Sequence, residues 1–186
     1  MDETSKYLVS SIGFDENEGK IEVSVEALII NSEKFEEDIS PVIISGSGAS
    51  VESAIKEVYK KSPQPLTFSH CAVAVIGNIE KDVFDELCDY FLNHNEITVS
   101  IAFVRSQNAK ELMSLETESS VAVGYEIANM LKTQNKVMGR AFNNRFFEIA
   151  AARAKGTKFK PLPIFKAQNQ RLILEDEKNE QKAKLF

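Results

Sequence analysis

The chain has 186 residues, 43% of them hydrophobic, and a formal net charge of −6. This length and hydrophobic content suffice for one domain with its own core. The negative charge argues against binding to nucleic acid and against electrostatic attachment to anionic lipid. No apolar run is long enough to span a bilayer, and residues 1–6 lack the hydrophobic segment of a signal peptide. We therefore expect no nucleic-acid partner.

The N-terminal part predicts an antiparallel β-hairpin. Residues 7–14 and 20–30 are rich in strand-forming side chains, and residues 15–19 have the composition of a turn. In the second strand apolar and polar residues alternate, which predicts one buried side and one solvent-facing side. The solvent-facing side is expected to carry Glu22, Ser24 and Glu26.

The segment after the hairpin predicts an exposed loop over residues 31–50. Its first part is acidic and only weakly apolar, while Ile43 and Ile44 favour a short edge strand. Glycine and serine residues then lead into a helix that begins near Val51, because apolar residues recur from there at helical spacing. Residues 62–65 contain two prolines and end this helix.

The central part predicts a β-strand, an α-helix and a second β-strand. Residues 71–76 are apolar on both faces, as expected of a central strand covered on two sides. Asn78 is a suitable N-cap for a helix that reaches Phe91. Residues 97–104 are again rich in β-branched and apolar side chains. This order predicts a βαβ unit with a right-handed crossover.

The C-terminal part predicts further helices, a strand over residues 172–174 and a charged, solvated tail from about residue 175. Gly156 is expected to end the last helix, because glycine is common just past the final turn. The whole pattern predicts an α/β fold in one domain over residues 1–186: a mixed β-sheet with a central βαβ unit, an N-terminal antiparallel hairpin and helices packed on the sheet. The later helices are expected from an N-cap at Ser106 through Met113, and over residues 117–132 and 141–155.

Residues 46–50 stand before a helix, where backbone N–H groups can bind a phosphate. A dinucleotide-binding fingerprint would carry a third glycine, but Val51 stands at that place, and the Gly-Lys-Ser or Gly-Lys-Thr of a P-loop is absent. A flexible loop that ends in an N-cap is therefore the favoured interpretation. The alternative is a small-molecule or nucleotide-binding enzyme domain that uses this loop.

Catalytic and metal-binding groups are not indicated. His70 and Cys71 are neighbours on a predicted strand, so their side chains point to opposite faces and cannot form a catalytic dyad. We expect His70 to be structural, with its ring hydrogen-bonded to a nearby polar group. Cys71 and Cys88 lie on apolar faces, which favours buried thiols over a disulfide or a metal pair. We therefore expect no catalytic residue, no metal and no cofactor.

Several separated segments occur in the order found in one protein family. Residues 12–15 are similar to its early Gly-Ile-Asp strand end, residues 66–70 to its Leu-Tyr-Phe-Ser-His segment, and residues 109–113 to its Ala-Lys-Asp/Glu-Leu-Leu segment. Over residues 7–174 the sequence resembles the N-terminal domain of the C subunit of spore germinant receptors, the GerAC-type or Ger(x)C lipoproteins. The other matching segments are residues 46–54, 73–77, 87–97 and 162–163.

The resemblance implies a non-catalytic component of a nutrient-sensing receptor at the spore inner membrane, beside integral membrane subunits. Family members normally begin with a lipoprotein signal and a lipid-bearing cysteine, and they continue into a separate C-terminal domain. Neither feature occurs in this sequence, so the chain is expected to be one domain of a longer protein or a shortened relative. Membrane contact is then expected only through a lipid anchor absent from this chain.

Contacts within such a receptor are expected on surface that the fold does not need. The predicted loop over residues 31–50 is polar and contains glycine, and loops of this kind often carry function on a rigid scaffold. Within it, the candidate partner-binding residues are Glu36, Gly46, Ser47 and Gly48.

Overall fold

The structure is a computed structural model that describes residues 6–30, 40–118, 120–139, 141–142 and 144–176. Within these residues the protein has an α/β fold with one large mixed sheet, one small sheet and helices packed on the large sheet. The strands are β1 (Lys6–Asn17), β2 (Lys20–Ile30), β3 (Val42–Gly48), β4 (Leu66–Thr67), β5 (Val73–Ile76), β6 (Ala102–Arg105), β7 (Phe165–Gln168) and β8 (Arg171–Leu174). The helices are α1 (Val51–Lys61), α2 (Lys81–Asn93), α3 (Ala109–Met113), α4 (Val123–Met138) and α5 (Phe146–Ala154).

The large sheet has the strand order β3-β2-β1-β5-β6, with β4 paired to β1. β2 pairs antiparallel with both β1 and β3, whereas β1, β5 and β6 run parallel to one another. The strands β7 and β8 form the small antiparallel sheet. The mixed sheet, the N-terminal hairpin and the βαβ unit made by β5, α2 and β6 confirm the predicted architecture.

Two apolar layers cover the large sheet. Val73 and Val75 point to one side of β5 and Ala74 and Ile76 to the other, and all four are fully buried. The Ala74 side packs against α1, α2 and α5. The Val73 side packs against α3, α4 and the small sheet. The prediction that residues 71–76 form a strand covered on two sides is therefore confirmed from Val73 onward.

The boundaries of the early elements differ from the prediction. β3 extends to Gly48, so residues 46–48 belong to an edge strand and not to a loop. α2 begins only at Lys81, beyond the predicted N-cap Asn78. The second strand of the βαβ unit is restricted to β6, because the chain before it turns back at residues 98–100.

The later helices also begin further along the chain than predicted. The N-cap of α3 is Asn108 instead of Ser106, and its side chain accepts a backbone hydrogen bond from the first turn. α4 and α5 begin at Val123 and Phe146, several residues later than expected. Gly156 follows α5 with φ +65°, a left-handed conformation that costs glycine little. The predicted stop for the last helix is thus confirmed.

Candidate functional site

The carboxyl ends of parallel strands are the usual position of ligands in α/β sheets. Near that end of β1 the side chain of Asp15 is buried. Its carboxylate accepts hydrogen bonds from the backbone N–H groups of Ala109 (2.8 Å) and Lys110 (3.0 Å), which open α3. Burial raises the pKa of the Asp15 carboxyl, and these two hydrogen bonds offset only part of that effect. The position that an anion could take at the start of α3 is filled by the protein's own side chain.

A second buried carboxylate lies at the start of α4. Glu26 on β2 is fully buried. Its Oε2 accepts a hydrogen bond from the N–H of Val123 (2.8 Å), and its Oε1 accepts one from the N–H of Gly124 (2.9 Å). The hydroxyls of Ser10 (2.7 Å) and Ser11 (3.0 Å) also donate to Oε1. These four bonds satisfy a charged group whose burial without partners would be strongly unfavourable.

The Glu26 site depends on an irregularity in β1. Successive residues of a regular strand point to opposite faces, but the register between β1 and β2 shifts between Val9 and Ser11, which lets neighbouring serines reach one carboxylate. α4 needs this remote partner because its N-cap, Ala122, cannot accept a side-chain hydrogen bond. The prediction that Ser24 and Glu26 face solvent is wrong, since both are buried.

The predicted partner-binding residues Gly46, Ser47 and Gly48 lie on the edge strand β3, and Glu36 lies outside the described residues. Ser47 is exposed, whereas Gly46 is buried. A Cβ added at Gly46 would come within 2.5 Å of the backbone of α1, and one at Gly48 would overlap a side chain of α1. The two glycines therefore allow α1 to lie directly on β3, and Ser47 is the described candidate whose side chain is available to a partner.

The start of α1 is capped by the protein itself. The Ser50 hydroxyl accepts a hydrogen bond from the N–H of Ser53 (3.1 Å), and Glu86 on α2 accepts one from the N–H of Val51 (2.6 Å). A carboxylate at this position repels a phosphate. The predicted N-cap is confirmed, while the geometry offers no support for a phosphate cradle at residues 46–50.

His70 does not lie in a strand. It occupies an exposed turn, and regular pairing of the next strand begins only at Val73. Among the described residues the His70 ring has no hydrogen-bond partner, so the predicted structural role through such a bond is wrong. Cys71 is buried and its thiol donates to the carbonyl of Val73 (3.7 Å). The His70 side chain faces solvent and the Cys71 side chain faces the core, so the imidazole and the thiol lie apart.

Cys71 and Cys88 are both free and buried, as predicted. Burial raises the pKa of each thiol to about 12. Neither thiol is therefore ionised to a useful extent at neutral pH, and reactivity requires the thiolate. Within the described ranges, no cluster of three or more His, Cys, Asp or Glu side chains is placed to hold a metal ion.

A cavity of about 320 Å³ lies at the N-terminal ends of β5 and β6. We call it the N-terminal cavity; it is bounded by residues 69–72 and 100–102, by one face of α4, and by the chain just before α5. Arg145 anchors one wall, since its guanidinium Nη1 donates to the carbonyl of Ser100 (2.7 Å). The sequence analysis did not identify this cavity, because its walls come from four separate segments.

Comparison with protein families identifies the chain. Residues 4–158 match the family model described as "Spore germination protein N-terminal domain". The chain belongs to this family. The predicted resemblance to the GerAC-type N-terminal domain is thereby confirmed, and the domain is a component of the spore germination machinery. No curated protein sequence and no solved structure matches the chain.

In this GerAC-type domain the segments that carried the resemblance contact one another. Asp15, at the end of residues 12–15, bonds the start of residues 109–113. The N–H of Arg105 donates to the carbonyl of Pro163 (2.8 Å), which joins the late Leu-Pro segment to β6. These segments thus hold the fold together. None of the helices that the structure describes is long and apolar enough to cross a membrane.

Proposed function

We propose that this GerAC-type domain is a non-catalytic component of a spore germinant receptor and works through protein–protein contacts. The main support for the proposal is that the buried carboxylates of the domain stabilise its own helices. Asp15 and Glu26 are held by backbone N–H groups at the starts of α3 and α4. A catalytic acid or base must reach the proton that it transfers, and these two groups are enclosed and already engaged.

The partners in this proposal are the integral membrane subunits of the receptor. The family match supports a place among germination proteins, and the lipid anchor of GerAC-type proteins would hold the domain at the spore inner membrane. In this arrangement the domain contributes a rigid surface. It requires neither a cofactor nor a metal.

The edge strand β3 is the contact surface that we favour. The opposite edge of the sheet is covered by the chain itself, because the N–H of Phe103 donates to the carbonyl of Asn144 (2.7 Å) and residues 163–164 lie beside Arg105. Among the described residues, β3 pairs only with β2. An unpaired edge offers backbone donors and acceptors to which a partner can add a strand.

Ser47→Arg tests this surface, because a large charged side chain on an edge strand opposes the addition of another strand. In spores that carry the full-length protein, we expect Ser47→Arg to slow germination on nutrients and to leave germination by a receptor-independent trigger normal. Thr133→Arg is the matched control, since this exposed residue lies on α4, which packs mainly against β1 and β5 and not against the edge strand. Glu36→Lys extends the test to the neighbouring part of the chain.

The purified variants decide how the spore result is interpreted. Ser47→Arg and Thr133→Arg replace exposed side chains, so each should change the free energy of unfolding by about 0.5 kcal/mol or less. Normal nutrient germination with folded Ser47→Arg and Glu36→Lys proteins would remove this surface from the proposal. Equal slowing by Thr133→Arg would show a general effect of added charge. Bulky substitutions at Gly46 or Gly48 are unsuitable, because they would displace α1.

A further inference from the structure

The N-terminal cavity differs in charge from the rest of the molecule. The chain carries a net charge of −6, yet the described residues that line this cavity include His70, Lys132 and Arg145 and no Asp or Glu. Side chains of one sign that surround a concave surface raise the local concentration of ions of the opposite sign. The lining therefore favours an anion.

The buried carboxylates stabilise helices of the domain, whereas these basic groups do not have such a role. Among the described residues, Lys132 and His70 form neither an ion pair nor a side-chain hydrogen bond, and both are exposed. Arg145 is fixed by the bond from its Nη1 to the Ser100 carbonyl, which leaves its other N–H groups to donate elsewhere. The nearby Glu148 carboxylate accepts the backbone N–H of Arg145 (3.0 Å) and does not line the cavity.

The remaining walls are apolar or carry amides. Leu131 and Phe142 supply apolar surface, and the exposed Asn135 supplies a side-chain amide. Ile101 is buried, and the amide nitrogen of the buried Asn144 already donates to the carbonyl of Phe103 (2.8 Å). The volume of about 320 Å³ lies at the lower end of the range for small-molecule sites. A bare inorganic ion would leave the apolar walls without contact, whereas a compact organic anion would use both kinds of surface.

We propose that the N-terminal cavity binds a small organic carboxylate. The carboxylate group lies between Lys132 and the anchored guanidinium of Arg145, and the apolar part packs against Leu131 and Phe142. This proposal is independent of the contact surface on β3. It holds whether or not a partner strand adds to that edge.

Benzoate is a suitable probe, and benzamide is its uncharged counterpart of nearly the same shape. We expect benzoate to cause saturable changes in the ¹⁵N–¹H NMR signals of Cys71, Ile101 and Leu131, with millimolar affinity. Benzamide and inorganic phosphate should cause much weaker changes at the same residues. No saturable change with benzoate would overturn the proposal, equal binding of benzamide would remove charge as its basis, and tighter binding of phosphate would overturn the carboxylate class.

Two lysines on α4 provide matched variants. Lys132 lines the cavity, and Lys136 is exposed one turn later on the same helix and does not. Lys132→Glu should weaken benzoate binding by about tenfold or more, because the reversed charge lies beside the carboxylate. Lys136→Glu should change it by less than about twofold, since exposed charges farther from the ligand are screened by salt. Equal effects of both variants, or no effect of Lys132→Glu, would overturn the proposal.

Folding of the variants is checked by the dispersion of the same NMR spectra. If Lys132→Glu proves unstable, Lys132→Gln removes the charge with a similar side-chain length. Its expected effect is a weakening of benzoate binding that Lys136→Gln does not reproduce. Equal weakening by these two variants would again overturn the proposal.

Discussion

The two ends of the parallel strands use their charged groups in opposite ways. At the carboxyl end, Asp15 is buried and holds the first turn of α3. At the amino end, His70, Lys132 and Arg145 line the N-terminal cavity, and its described lining residues include no carboxylate. At the end where α/β sheets usually bind ligands, the protein's own carboxylate occupies the start of α3, while the opposite end offers basic groups.

This difference shows how to distinguish polar groups that hold the fold together from polar groups that can bind a ligand. Burial and hydrogen-bond partners distinguish the two kinds better than residue type does. Asp15 and Glu26 are carboxylates that could serve acid–base chemistry, yet their partners are backbone N–H groups. Lys132 would commonly be taken for a solvated surface residue, yet it borders the N-terminal cavity. The predictions below test the two ends in order of expected effect.

Glu26→Ala is expected to have the largest effect. It leaves the N–H groups of Val123 and Gly124 and the Ser11 hydroxyl without their acceptor, whereas the Ser10 hydroxyl keeps the backbone carbonyl of residue 26 (3.1 Å). We therefore expect a loss of about 3–5 kcal/mol in the free energy of unfolding. Urea denaturation measures this loss of stability. Glu22→Ala is the control, because Glu22 forms a partly exposed ion pair with Lys110 (3.0 Å) that should be worth about 1 kcal/mol or less. Similar losses for the two variants would contradict the assignment of Glu26 as the cap of α4.

Asp15→Asn should alter how stability depends on pH. Because burial raises the pKa of Asp15 in the folded protein, the folded state holds this proton more tightly than the unfolded state does. The wild type should therefore gain stability relative to Asp15→Asn as the pH is lowered through the raised pKa toward the ordinary value of 3.8. Urea denaturation at a series of pH values measures the difference. The opposite slope would show that the hydrogen bonds from α3 outweigh burial.

His70→Ala should have the smallest effect on folding. The ring is exposed and has no hydrogen-bond partner among the described residues, so thermal denaturation should show a change of about 0.5 kcal/mol or less. The same variant should weaken benzoate binding if the imidazole contributes to the N-terminal cavity. A loss of stability comparable to that of Glu26→Ala would mean that His70 supports the fold after all.

Local sequence patterns determined much of the architecture. The alternation in residues 20–30 and the unbroken apolar run at 71–76 predicted the hairpin and the central strand, because these patterns are typical of strands and not of helices. Gly156 predicted the end of α5, since few other residues adopt a positive φ at low cost. The order of the segments from residue 12 to residue 163 predicted the GerAC-type family, which the family model confirms.

Tertiary structure decided the role of every polar group that mattered. Glu26 alternates with apolar neighbours just as a solvent-facing residue does, yet it is buried where the start of α4 bonds its carboxylate. Gly46 and Gly48 suggested a loop, but they pair with β2 in a strand, and their lack of side chains lets α1 pack closely on it. His70, Lys132 and Arg145 are far apart in the chain and share a cavity only in the folded protein. The local sequence pattern indicates whether a side chain can be buried. Contacts between segments that are distant in the chain determine which group becomes the partner of that side chain.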